Sequence, residues 1–129
     1  MPYVHIVTAL ALLQFVWFGI KVGQARERYG VKAPAITGSD VFERHFRVQQ
    51  NTLELVVIVV PGLYLFSHYF SPLLAAVLGV IYLIGREVYA RAYVKDPAKR
   101  SAGFGLSALP ALILIFGGLA GAVWQLIAH

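Results

Sequence analysis

Four apolar runs, each long enough to cross a bilayer, are separated along the chain by three polar stretches. The first run, Pro2–Ile20, carries no charge, and about 20 apolar residues suffice to span the hydrocarbon core. Its few polar residues, His5, Thr8 and Gln14, read as hydrogen-bonders between helices. Trp17 and Phe18 stand where interfacial aromatics belong, beside the first basic loop. The segment lacks a basic start and a small-residue cleavage site, so it reads as a helix of the mature protein rather than a signal peptide. The second run starts amphipathic near Asp40 and becomes wholly apolar over Leu55–Phe66; the third fills Leu73–Gly85. The fourth contains Pro110, which predicts a kink that neighbouring helices can accommodate in a membrane.

Punctuation sets the ends. Asp40 followed by Glu43 has capping-box character, and Ser71-Pro72 and Asp96-Pro97 each place a capping residue before a proline at the first helical position. Helices are therefore predicted over 2–24, 40–68, 72–94 and 97–127 of a single domain, residues 1–129. Ala75/Gly79 and Gly117/Gly121 put small residues four apart, which lets helices approach closely. The fold class so read is all-α: an integral membrane four-helix transmembrane bundle.

Composition supports this reading: 59% of the 129 residues are hydrophobic and 13% charged, with a mean hydropathy of +0.71. Soluble domains sit nearer 45–50% and about 25%. A net charge of +5 could suggest nucleic acid, but the distribution of the charges speaks against it. Every Lys and Arg lies within Lys21–Arg47 or Arg86–Arg100, the positive-inside pattern of loops on one membrane face. The basic loops are then cytoplasmic and both termini lie on the non-cytoplasmic side. Short loops, and an end at Ile127-Ala128-His129 without a basic retrieval tail, point to a bacterial inner membrane. With no cysteine, the chain has no disulfide, thiolate metal site or cysteine nucleophile. Catalytic sulfur must arrive with a substrate.

The polar residues that enter the apolar runs carry the chemistry. At 100° per residue, Arg47, Asn51 and Glu54 fall within an arc of roughly 60°, stacked over about 10 Å of the second helix. Arg86, Tyr89 and Tyr93 share a similar arc on the third, and Arg100 follows in the expected first turn of the fourth. Ionisable groups at such depth are costly and face a bundle interior or a wet cavity. Singly, Arg86, Arg91, Tyr89 and Tyr93 also fit the role of interfacial anchors. Together, Arg47, Asn51, Glu54, Arg86, Tyr89, Tyr93 and Arg100 describe a pocket for a zwitterion. Arginine forks suit carboxylates, and Glu54, expected to be buried, suits an ammonium.

These residues resemble those of the MAPEG family, the membrane-associated proteins of eicosanoid and glutathione metabolism. The likeness is greatest to its microsomal glutathione transferases of types two and three and its leukotriene C synthase. The matching text is Val22-Gly23-Gln24-Ala25-Arg26, Ala35-Ile36-Thr37-Gly38-Ser39, Phe42–Glu54, Gly85-Arg86-Glu87-Val88-Tyr89 with Tyr93, Lys99-Arg100 and Gly103-Phe104. The resemblance implies a homotrimer that binds glutathione between protomers, open to the cytoplasm, without a metal. It implies that Arg26, Arg47, Gln49, Asn51, Glu54, Arg86, Tyr89 and Tyr93 hold the tripeptide and that Arg100 sits against its sulfur. Two positions depart from the pattern. Glu27 replaces the second arginine of a pair implicated in leukotriene C synthesis, and Leu55 replaces a tyrosine that contacts glutathione.

The implied chemistry is thiolate generation. A free thiol has a pKa near 8.5, and lowering it by about two pH units takes roughly 2.7 kcal/mol. One close cation in a partly dry site, aided by a helix N-terminus, can supply that. The thiolate then meets a hydrophobic electrophile or a lipid hydroperoxide arriving through the membrane lipids. Two other readings compete. A non-catalytic lipid-binding scaffold of the same family would need no cluster of arginines. A four-span drug/proton antiporter would centre on an acid in the first span, which has none.

Overall fold

A computed structural model of the chain describes residues 1–128, so His129 lies outside the described residues. Four helices, α1 (Pro2–Tyr29), α2 (Asp40–Tyr69), α3 (Pro72–Lys95) and α4 (Ser101–Ala128), are joined by short connections. All four are long and apolar enough to cross a membrane. Short connections make sequence neighbours antiparallel, so α1 and α3 run in one direction and α2 and α4 in the other. The α2–α3 pair is central, and both α1 and α4 pack on it.

Local chemistry explains where the helices end. α1 continues past residue 24, taking Arg26 and Arg28 into its last turn, and stops where Gly30 adopts the left-handed conformation at φ 69°. There the Gly30 and Val31 N–H groups both donate to the Arg26 carbonyl, closing off the helix as a glycine C-cap does. Ser39, not Asp40, caps α2: its Oγ accepts from the Phe42 N–H at 3.4 Å, and Glu43 accepts from the Gly38 N–H. Ser71 caps α3 from an extended conformation. Asp96 caps only a single 3-10 turn, Pro97–Lys99, through the Ala98 N–H. α4 therefore starts at Ser101 rather than at 97, with Arg100 immediately before it. Arg44 Nη1 reaches across from α2 to the carbonyls of Val94 and Lys95, giving the end of α3 a cationic cap.

The core is lean, and the outer surface is apolar. Val4, Val7 and Ala11 of α1 meet Val59 and Leu63 of α2, Ala75 and Tyr82 of α3, and Ala111 and Leu114 of α4. Large side chains such as Leu13, Val57, Leu109 and Phe116 point outward, as they must where lipid is the solvent. Gly79 lies against Val7 and Leu63, and Gly117 and Gly121 against Phe66 and Tyr69. The closest backbone approach falls elsewhere, between α3 and α4. A Cβ on Gly85 would sit 2.6 Å from the Ser107 nitrogen, and one on Gly103 would strike the Tyr89 backbone. That crossing positions the site.

Candidate functional site

Arg86 is the largest fully buried side chain in the molecule. Its Nε and Nη2 donate to Ser107 Oγ at 3.0 and 2.8 Å, and Nη1 donates to Asn51 Oδ1 at 2.7 Å and Thr52 Oγ1 at 3.2 Å. Those bonds use four of the five N–H donors a guanidinium offers. Its Cζ lies 4.2 Å from the Tyr89 ring centroid, so one face is covered by an aromatic quadrupole. The Ser107 hydroxyl faces the Gly103 and Phe104 carbonyls at 2.9 and 3.0 Å as its own acceptors. One residue thus ties together α2, α3 and α4.

Tyr89 is the hub of the rest. It stacks on Tyr93 with centroids 5.5 Å apart, tilts against Phe104 at 6.3 Å, and lies within electrostatic reach of Arg100 and Glu54. Arg100 is exposed, and its Nη1 donates to the Pro97 carbonyl at 3.0 Å. Its side chain folds back over the 3-10 turn, and α4 opens at the next residue with a first turn whose free N–H groups favour an anion. Asn51, Glu54, Arg86, Tyr89, Tyr93 and Arg100 are therefore gathered at one end of the α2–α3–α4 side. Arg47 lies one turn before Asn51 on α2 and is exposed.

Two expectations are corrected. Glu54 is exposed in the single chain, not buried, because it lies on the outward side of α2. Arg86, pictured as an open fork, is occupied by side chains of its own bundle. Arg26 and Gln49, which the resemblance assigns to a site between protomers, lie apart from the cluster within one chain. Arg26 sits 4.7 Å from the Phe42 ring centroid and donates to the Ala35 carbonyl at 2.6 Å, and Gln49 faces Gly19 of α1. Leu55, adjacent to Glu54, belongs to the core.

Sequence reasoning missed Thr52 and Ser107, and it named Phe104 only as part of the stretch that carries the family resemblance. The signal for Ser107 was Gly103 four residues earlier, a small-residue pair on one helical face. Among the described residues one ion pair forms, Arg91–Glu87 at 3.6 Å, so Arg47, Arg86 and Arg100 have no carboxylate partner. No group of three His, Asp or Glu that could hold a metal occurs among the described residues.

The sequence pattern of the MAPEG family matches residues 4–120. The chain is 46% identical to an uncharacterised protein of Synechocystis over 94% of its own length and 88% of the relative's. It is 40% identical to human microsomal glutathione S-transferase 2, covering 88% of this chain and 78% of that one. Bovine leukotriene C4 synthase is 32% identical, with 84% and 73% covered.

Proposed function

The chain belongs to the MAPEG family, and on that premise we propose that it is a membrane glutathione transferase acting as a homotrimer. The observation that carries the proposal is that Arg100 and Glu54 lie about Tyr89, beside the buried Arg86, with Arg47 exposed one turn from Asn51 and none of the three arginines paired to a carboxylate among the described residues. Such a set is electrostatically incomplete, and a ligand with two carboxylates, one ammonium and one thiol completes it. Glutathione has those groups. Arg47, and Arg26 with the donors left beyond its bond to the Ala35 carbonyl, take the carboxylates, Glu54 takes the ammonium, and Gln49, Asn51 and Tyr93 offer hydrogen bonds. Arg86 acts from behind, holding Asn51 and Tyr89 in place.

The division of these residues into two sets supports a site shared between copies. Arg26 and Gln49 lie on the α1 side of the protomer, away from the Tyr89 cluster, and Arg47 and Glu54 sit on an exposed stripe of α2 that continues through Val57. Ionised groups on a stripe that enters the bilayer are costly against lipid. A neighbouring protomer that brings its own Arg26 and Gln49 to this stripe would both cover it and finish the site. In this reading the basic loops and the site lie on the cytoplasmic face, with a bacterial inner membrane as the membrane proposed.

Arg100 is the catalytic residue in this reading. Its guanidinium, with the N-terminus of α4 behind it, favours the thiolate over the thiol. The sulfur then attacks an apolar electrophile. A C–S bond forms, the leaving group departs with the bonding pair, and the thiol proton goes to solvent. The same thiolate can attack a lipid hydroperoxide: the O–O bond breaks, the lipid leaves as its alcohol, and a second glutathione forms the disulfide with release of water. A lipid-binding scaffold without catalysis is the alternative, and the unpaired arginines speak against it.

The test is difference absorbance at about 240 nm, where thiolates absorb, on adding glutathione to wild type and Arg100→Ala over a pH series. A thiolate band at neutral pH in wild type, lost in the variant while glutathione still binds, is the expected result. No glutathione binding by wild type would move the scaffold reading to the front.

A further inference from the structure

On the side of α3 opposite the Arg86 cluster, a cleft of about 530 Å³ opens between α1, the start of α2 and the end of α3. Its mouth carries Lys21, His45, Arg91 and Lys95, and its floor is Phe18, Val48 and Ala90. A second groove of about 580 Å³ continues from it, lined by Leu10, Leu13, Leu83 and Ile84. Trp17, Glu87 and Arg91 belong to both. α1 and α3 run parallel here, so the basic mouth lies at the membrane face of the basic loops and the apolar groove descends into the bilayer. From Lys21 to Leu10 is about 16 Å of helix, close to half of a hydrocarbon core roughly 30 Å thick.

The charges in the mouth do not cancel. Three cations, Lys21, Arg91 and Lys95, stand around His45 and face one carboxylate, Glu87. That carboxylate is engaged with Arg91 at 3.6 Å in a loose pair whose side chains are 84% and 42% exposed, which leaves Arg91 free to turn toward another anion. Lys21 lies 4.8 Å from the Trp17 ring centroid, at the collar between mouth and groove. A small cytoplasmic anion would use the mouth but not the apolar extension. A neutral lipid would use the extension but not the cations. We infer that the α1/α3 cleft binds an anionic phospholipid, its phosphate among Lys21, Arg91 and Lys95 and an acyl chain along Leu10, Leu13 and Ile84. Basic pockets between membrane helices on the cytoplasmic side suit such headgroups. The cleft shares no lining residue with the glutathione cluster, although its floor packs against Tyr89, and the inference does not depend on that reading.

Trp17 lies in both cavities, and the other tryptophan, Trp124, is at the far end of α4 and largely exposed. In a Trp124→Phe background Trp17 is the sole tryptophan and reports on lipid in the cleft and at its rim. The protein is placed in phosphatidylcholine vesicles with a minor fraction of phosphatidylglycerol, with brominated acyl chains on one lipid or the other. Brominated phosphatidylglycerol should quench Trp17 at least about fivefold more effectively per mole, and high salt should reduce that ratio. Lys21→Gln with Lys95→Gln should bring the ratio close to one. Lys32→Gln with Lys99→Gln removes the same charge from loop positions outside the cleft and should leave the ratio unchanged. Equal quenching by the two lipids in wild type, no quenching by either, or equal loss in both double variants would overturn the proposal. Should the cleft variant fail to fold, the wild-type lipid ratio, its salt dependence and the loop variant still decide the matter.

Discussion

Arg86 Nη1 on α3 donates to Asn51 Oδ1 on α2 at 2.7 Å, and this bond connects the two polar stripes of the chain. The guanidinium is buried and the amide half-buried, so a bond to a charged group here is worth about 1.5–3 kcal/mol. It also fixes which way the Asn51 side chain faces, leaving the amide nitrogen for a ligand.

Arg86→Lys keeps the charge but cannot reach Ser107, Asn51 and Thr52 together, nor stack flat on Tyr89. A fall in glutathione affinity of about tenfold or more is expected, with Asn51→Ala adding little on top because both changes remove one unit. Titration calorimetry on the two single variants and the double variant checks this. Additive losses would separate Asn51 from Arg86.

Ser107→Ala removes the acceptor of two Arg86 N–H groups without touching the exposed residues of the site. Leaving a buried cation short of partners should cost about 2–3 kcal/mol, read as a thermal midpoint several degrees lower in detergent. Ser107→Thr keeps the hydroxyl and should recover part of the loss.

The α3–α4 crossing has no room for a methyl group. Gly103→Ala and Gly85→Ala should each destabilise by more than about 2 kcal/mol, because the atoms they meet are backbone and cannot turn aside. A Cβ on Gly105, two residues along α4, meets nothing within 4 Å. Gly105→Ala should therefore be neutral or stabilise by about 0.5–1 kcal/mol. Thermal unfolding of the three variants side by side is the measurement.

A shared site permits complementation. Arg26→Ala and Arg100→Ala chains should each be nearly inactive alone. When the two are co-expressed, about a quarter of interfaces in randomly mixed trimers pair an intact Arg26 with an intact Arg100. Activity recovered to that fraction supports the shared site, whereas none recovered would place both arginines in one protomer's site.

The pH profile follows from the proposed role of Arg100. A cation beside the sulfur lowers the thiol pKa, so conjugation rises with pH through a midpoint below the usual 8.5. In Arg100→Ala the midpoint should climb by about two pH units, and rates at high pH should converge on wild type. A profile that drops uniformly with an unchanged midpoint would assign Arg100 to binding instead.

Much of the molecule was legible in the residues alone. The four spans follow from length and hydropathy, because a bilayer leaves the backbone little alternative to helices. The grouping of Arg47, Asn51 and Glu54, and of Arg86, Tyr89 and Tyr93, follows from the helical repeat. Periodicity places residues on one side of a helix but says nothing about what that side meets. Only packing decided that Arg86 is occupied by Ser107, Thr52 and Asn51, that Glu54 faces outward, and that Arg26 and Gln49 lie away from Tyr89. The deciding contact is the approach of α3 to α4 at Gly85 and Gly103, a tertiary event resting on the absence of two side chains. Local periodicity cannot register such an absence, because a glycine's neighbour across the crossing is set by the whole bundle.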